Sequence, residues 1–74
     1  MRPDQVVHSD PEILGGTPVF VGTRVPVRTL IEHLEAGDTI EDFLRSFPSV
    51  TKDQTVAALE MASELLADAA HSRR

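Results

Sequence analysis

At 74 residues the chain is one small domain, a size that buries only about 60% of its unfolded surface and is marginal alone. It has no cysteine, which excludes disulfides and thiolate metal sites and leaves association with a second copy or a partner as the way to add buried surface. Its net charge of −5 argues against indiscriminate phosphate binding, and no run approaches the roughly 20 apolar residues of a membrane span.

Met1 to Gln5 is polar and reads as loose. Val6-Val7-His8 has the composition of a short strand. Asp10-Pro11 has the form of a helix start, with Asp10 as cap and Pro11 in the first helical position. Ile13 and Leu14 give that turn an apolar side, and Gly15-Gly16 stop it.

Pro18–Val21 and Arg24–Val27 read as two short strands of a hairpin, joined at Gly22-Thr23. Val19 and Val21 fall on one face and Phe20 on the other. A lone hairpin is marginal in water. It must pack on helices, pair with Val6–His8, or pair with a second copy through its open edge. The last option makes Val19, Val21 and Val25 the candidate dimer seam of a homodimer.

Three helical patterns follow. Val27, Leu30, Ile31 and Leu34 form one apolar stripe over 27–36, with Pro26 before it and Gly37 after it. The second helix spans 38–47, with Asp38 and Glu41 as its capping box and Ile40, Phe43, Leu44 and Phe47 as its buried face. Pro48 ends it. The third runs from Thr51 to about Ala70, opened by a Thr51/Gln54 capping box. Its expected buried face holds Val56, Ala58, Leu59, Ala62, Leu65 and Leu66. Asp53, Glu60, Glu64 and Asp68 form an acidic outer stripe.

The short connections between these helices put neighbours in contact. The expected fold is mainly α: a homeodomain-like, helix-turn-helix-like unit of three helices with a short N-terminal β-hairpin. It forms a single domain over 1–74. Residues 1–5 are loose, 6–27 form the turn and hairpin, 27–70 the helices and 71–74 a tail.

Signs of catalysis are weak. His8, His33 and His71 are far apart in sequence, unlike zinc ligands at short spacing. The carboxylates of Glu32, Glu35, Asp38, Glu41 and Asp42 belong to solvated helix faces. The glycines do not match a phosphate-loop pattern. No enzyme, cofactor or metal is expected.

Binding residues are better represented. If the second and third helices act as a helix-turn-helix, the start of the third faces bases. Lys52, Gln54 and Thr55 are then the DNA-binding candidates, with Gln54 suited to an adenine edge, Lys52 to guanine or phosphate, and Arg28 as a further candidate. Arg24, beside a tight Gly-Thr turn, is placed for bidentate contact with carboxylate or phosphate. Leu65 and Leu66 on the alanine-rich third helix suit helix-in-groove binding of a protein partner. Arg73 and Arg74 close the chain as further partner-binding candidates.

Several of these segments occur together in a known family. Asp10-Pro11, Ile13–Gly16 and Thr17-Pro-Val-Phe-Val-Gly-Thr-Arg-Val-Pro-Val27 resemble a small prokaryotic family, domain of unknown function number four hundred and thirty-three. Leu34–Glu41, Phe47–Thr51 and Ala57-Ala58-Leu59 extend the similarity over roughly 6–66. The chain departs from the family pattern at Thr17, where lysine is common, and near Val21, where a basic residue is common. Both departures weaken a basic surface at the hairpin.

The resemblance implies a homeodomain-like domain and a VapB-type antitoxin role. Such a protein binds and inhibits a PIN-like ribonuclease toxin and represses its own promoter by binding operator DNA. The alternatives are a stand-alone DNA-binding regulator and a homodimeric interaction module without nucleic acid. No membrane association is expected. With no charged-then-apolar leader opening the chain, a cytoplasmic location is expected.

Overall fold

Backbone partners are found early in the chain. In the computed structural model, which describes residues 1–72, helix α1 (Pro3–Val6) begins with Pro3, whose missing N–H is no loss at a helix start. The Gln5 side chain accepts from the Arg2 N–H at 2.9 Å. The segment expected to be loose is therefore one helical turn, and it carries Val6 into the core.

Strand β1 (Val7–His8) follows and pairs antiparallel with β2 (Val19–Phe20), with Val7 opposite Phe20 and His8 opposite Val19. Pairing with Val6–His8 is thus the option that β2 takes, and the expected hairpin between Pro18–Val21 and Arg24–Val27 is present in reduced form. The second segment adds only a bridge from Pro26 to Val19, with bonds from Phe20 N–H to Val25 O (3.0 Å) and Val27 N–H to Pro18 O (3.1 Å). β2 is thus bonded on both sides within one chain. Val19 and Phe20 are both fully buried, but only Phe20 joins the main core cluster, so β2 is covered on both faces.

Between the strands, Asp10 does not cap a helix. Its carboxylate accepts from Glu12 N–H at 2.9 Å and closes a turn, which continues into a 3₁₀ turn over Leu14–Gly16. Gly15 sits there at φ 64°. The expected hairpin turn is present locally. Thr23 N–H bonds to Phe20 O at 3.0 Å, with Gly22 at φ 81°, where a type II turn needs positive φ.

Helix α2 (Val27–Glu35) ends as expected at Gly37, φ 93°. Asp38 N–H reaches back to His33 O (2.9 Å) and Gly37 N–H to Leu34 O (3.0 Å), the two bonds of a Schellman motif. This occupies Asp38, whose carboxylate also meets His33 Nδ1 at 2.8 Å.

The cap of helix α3 (Ile40–Ser46) consequently lies one residue later than expected. Thr39 Oγ1 accepts from Asp42 N–H at 3.1 Å, and Thr39 N–H donates to the Asp42 carboxylate at 3.0 Å. That Thr39 N–H bond, with the Thr39 hydroxyl and Arg45 adding to it, holds the Asp42 carboxyl below its ordinary value of 3.8. A carboxyl lowered on folding stabilises above the unfolded value, and that contribution is lost as pH falls through the lower folded value. Asp42→Asn is therefore expected to show a shallower loss of stability on acidification below 3.8 than the parent protein, read from urea midpoints across pH.

Helix α4 (Lys52–Ser72) is 21 residues long. Its box forms as expected: Thr51 Oγ1 accepts from Gln54 N–H, and Thr51 N–H donates to Gln54 Oε1, both at 3.1 Å. The core lies where α1, β2 and the helices α2, α3 and α4 meet. Val6, Phe20, Leu30, Phe43, Val50 and Ala58 form it. Val7, Val25, Val27, Leu34, Leu44, Phe47, Ala57, Leu59 and Met61 pack around it. The fold is mainly helical with a short N-terminal β pair. No helix among the described residues is long and apolar enough to cross a membrane.

Candidate functional site

Helix α4 has two halves with different surroundings. In the first half Thr55 and Ala58 are buried and Leu59 and Met61 pack on the core. From Ser63 to His71 every residue is exposed. At 1.5 Å per residue the uncovered part extends about 15 Å beyond the domain. It is rich in strong helix formers (Leu65, Leu66, Ala67, Ala69 and Ala70), and the packed first half supplies the nucleus for it.

Its sides are unlike. Ala58, Ala62, Leu65, Leu66 and Ala69 recur at helical spacing and make one apolar stripe, continuous with the core-facing side. Glu60, Glu64 and Asp68 make an acidic stripe on the other side. Leu65 and Leu66 are 69% and 72% exposed. The sequence pattern placed both on the buried face. They lie instead on a face of the helix that no described residue covers.

The start of α4 serves the fold. Gln54 is buried, and its Nε2 donates to Val21 O at 3.0 Å, tying the helix to the segment after β2. Thr55 is fully buried and donates to Lys52 O at 2.6 Å. Their expected role in reading bases is therefore corrected: neither side chain reaches the surface. Lys52 is exposed but lies 3.5 Å from Glu41 on α3. Arg28 pairs with Glu32 at 3.9 Å and lines a different groove from Lys52. The four residues do not form one basic surface. Gln54→Leu is expected to cost about 1–3 kcal/mol in urea unfolding, because it leaves the Val21 carbonyl without its donor.

The dimer seam is corrected too. Val19 is fully buried inside the protomer. Val21 donates its N–H to Val6 O (3.0 Å) and receives Gln54, while Val25 O receives Phe20 N–H. The edge that these residues were expected to offer a second copy is already bonded within the chain.

Arg24 is exposed on the far side of the turn after β2, in a cleft separate from the groove that Arg28 lines. Arg73 and Arg74 lie outside the described residues. His8, His33 and His71 belong to separate elements, and no group of three or more metal-ligating side chains occurs among the described residues. His33 has instead a packing role. It bonds to Asp38, and its ring meets Phe43 and Phe47 edge-on, each with centroids 5.5 Å apart.

Fold and site together define a small helical domain braced by a β pair, with one long amphipathic helix projecting from it. The chain belongs to the family described as Protein of unknown function (DUF433), whose model matches residues 7–62. It is similar to Uncharacterized protein y4eO of Sinorhizobium fredii (strain NBRC 101917 / NGR234), with 44% identity over 50 residues, or 68% of this chain. The match takes in only 23% of that relative's length.

A crystal structure of a DUF433 member protein from Anabaena variabilis ATCC 29413 shares the fold. The TM-score is 0.71 at 22% identity, over 92% of this chain and 67% of that one. The family match ends at Ala62, where α4 leaves the core. Leu65 and Leu66 lie beyond it.

Proposed function

We propose that the protein is an antitoxin of VapB type that binds a PIN-like ribonuclease through the projecting half of α4 and so inhibits it. The observation that carries this reading is the exposed apolar stripe of Leu65, Leu66 and Ala69, continued from half-buried Ala62, on the half of α4 that lies beyond the core. Such a face suits an apolar groove, with side chains at i, i+3, i+4 and i+7 as anchors.

Charge favours a different protein over a second copy. Two chains of net charge −5 joined here would bring their acidic flanks together. A groove with a basic rim would complement Glu60 and Glu64 instead. Repression of its own promoter is not favoured to the same degree. With Gln54 and Thr55 buried, only Lys52 and Arg28 remain for DNA, and they line different grooves.

The test is RNA cleavage by the PIN-like nuclease encoded beside this chain. Cleavage should stop at equimolar antitoxin, and the two proteins should co-elute. Undiminished cleavage in the presence of excess protein would rule the reading out.

A further inference from the structure

A second surface is built around Arg24. The turn that carries it is tightly held. Thr23 is buried, its hydroxyl donates to Phe20 O at 2.9 Å, and Thr23 Oγ1 accepts from Val25 N–H at 3.0 Å. Those bonds fix the backbone on both sides of Arg24, and with it the point at which its side chain leaves the turn. Arg2, Arg28, Arg45 and Lys52 each have a carboxylate partner. Arg24 has none among the described residues. A rigid turn thus presents an arginine that the fold itself does not use.

Arg24 borders an open cleft of about 610 Å³, where three parts of the chain converge. β1 supplies His8, the 22–25 turn supplies Thr23, Arg24 and Val25, and the loop after α3 supplies Ser49, with Ile13 completing the apolar wall. The guanidinium fork matches a carboxylate, and an imidazole N–H and a hydroxyl stand in the same cleft as further donors. Beside them, Ile13 and Val25 offer apolar surface to a neighbouring side chain.

We propose that this cleft docks an acidic peptide segment of another protein. Arg24 holds an aspartate or glutamate carboxylate, and an adjacent apolar residue packs on Ile13 and Val25. A nucleic-acid backbone fits less well, because tracking phosphates takes several cations and this cleft has one arginine. The site is independent of the α4 stripe. All of its residues lie within the matched span 7–62, whereas Leu65 and Leu66 lie outside it.

A random-peptide display selection on the whole protein tests this, followed by affinity measurements on the enriched peptides. Enrichment of an acidic residue beside an apolar one is expected. Arg24→Gln should weaken those peptides about tenfold or more, the loss of a charge-assisted pair. Arg28→Gln should leave them unchanged. The urea midpoint of Arg24→Gln should match the parent, since the Arg24 side chain makes no bond among the described residues.

Three results would overturn the proposal: no acidic enrichment, equal weakening by Arg24→Gln and Arg28→Gln, or tighter binding of a short single-stranded oligonucleotide than of any selected peptide.

Discussion

Phe43→Ala is expected to remove a large share of the protein's stability. Phe43 is fully buried where three rings meet it: Phe47 at 5.0 Å, His33 at 5.5 Å and Phe20 at 6.2 Å between centroids. These rings come from the loop after α3, from α2 and from β2, so one side chain joins the helices to the β pair. Emptying such a site costs about 3–5 kcal/mol. A domain of this length has about 4–11 kcal/mol in total. Far-UV circular dichroism in urea should show a sharply lowered midpoint or no folded baseline. Phe43→Leu, which refills most of the volume, should recover a cooperative transition.

Leu65→Asp with Leu66→Asp is expected to do the reverse, sparing the fold and removing the interaction. Both residues sit beyond the last core contact of α4, so the stability change should stay within about 0.5 kcal/mol. If they are the central anchors in a partner groove, each is worth about 2 kcal/mol or more, and the pair should weaken binding at least about a hundredfold. Calorimetric titration against the PIN-like nuclease proposed as its partner would measure this, with RNA cleavage returning in parallel. Glu60→Gln changes the acidic flank alone and should weaken binding far less, mainly at low salt.

The helices were legible where local signals decide them. Gly37 ends α2 and the Thr51/Gln54 box opens α4, because each depends on residues within one turn. The start of α3 shows the limit of such signals. Asp38/Glu41 and Thr39/Asp42 are equally good boxes on paper. The choice falls to Thr39 because the Schellman bond and His33 already hold Asp38.

The strand pairing was legible only as one of three options, since Val19–Phe20 meets Val7–His8 across an intervening turn and no local pattern selects that partner. Gln54 was misread for a related reason. Its amide bonds a carbonyl 33 residues away, and an exposed recognition residue has the same sequence signature. For Leu65 and Leu66 the apolar stripe was visible in the sequence. Whether anything covers it depends on where the other helices end.

The most direct measurement on the partner-binding role of α4 is amide hydrogen exchange of the free protein and of its mixture with the nuclease. Residues 63–72 should exchange quickly in the free protein, as a helix without tertiary cover does, and become strongly protected when the nuclease is added. Exchange in that segment that does not change on adding the nuclease would contradict the role assigned to it.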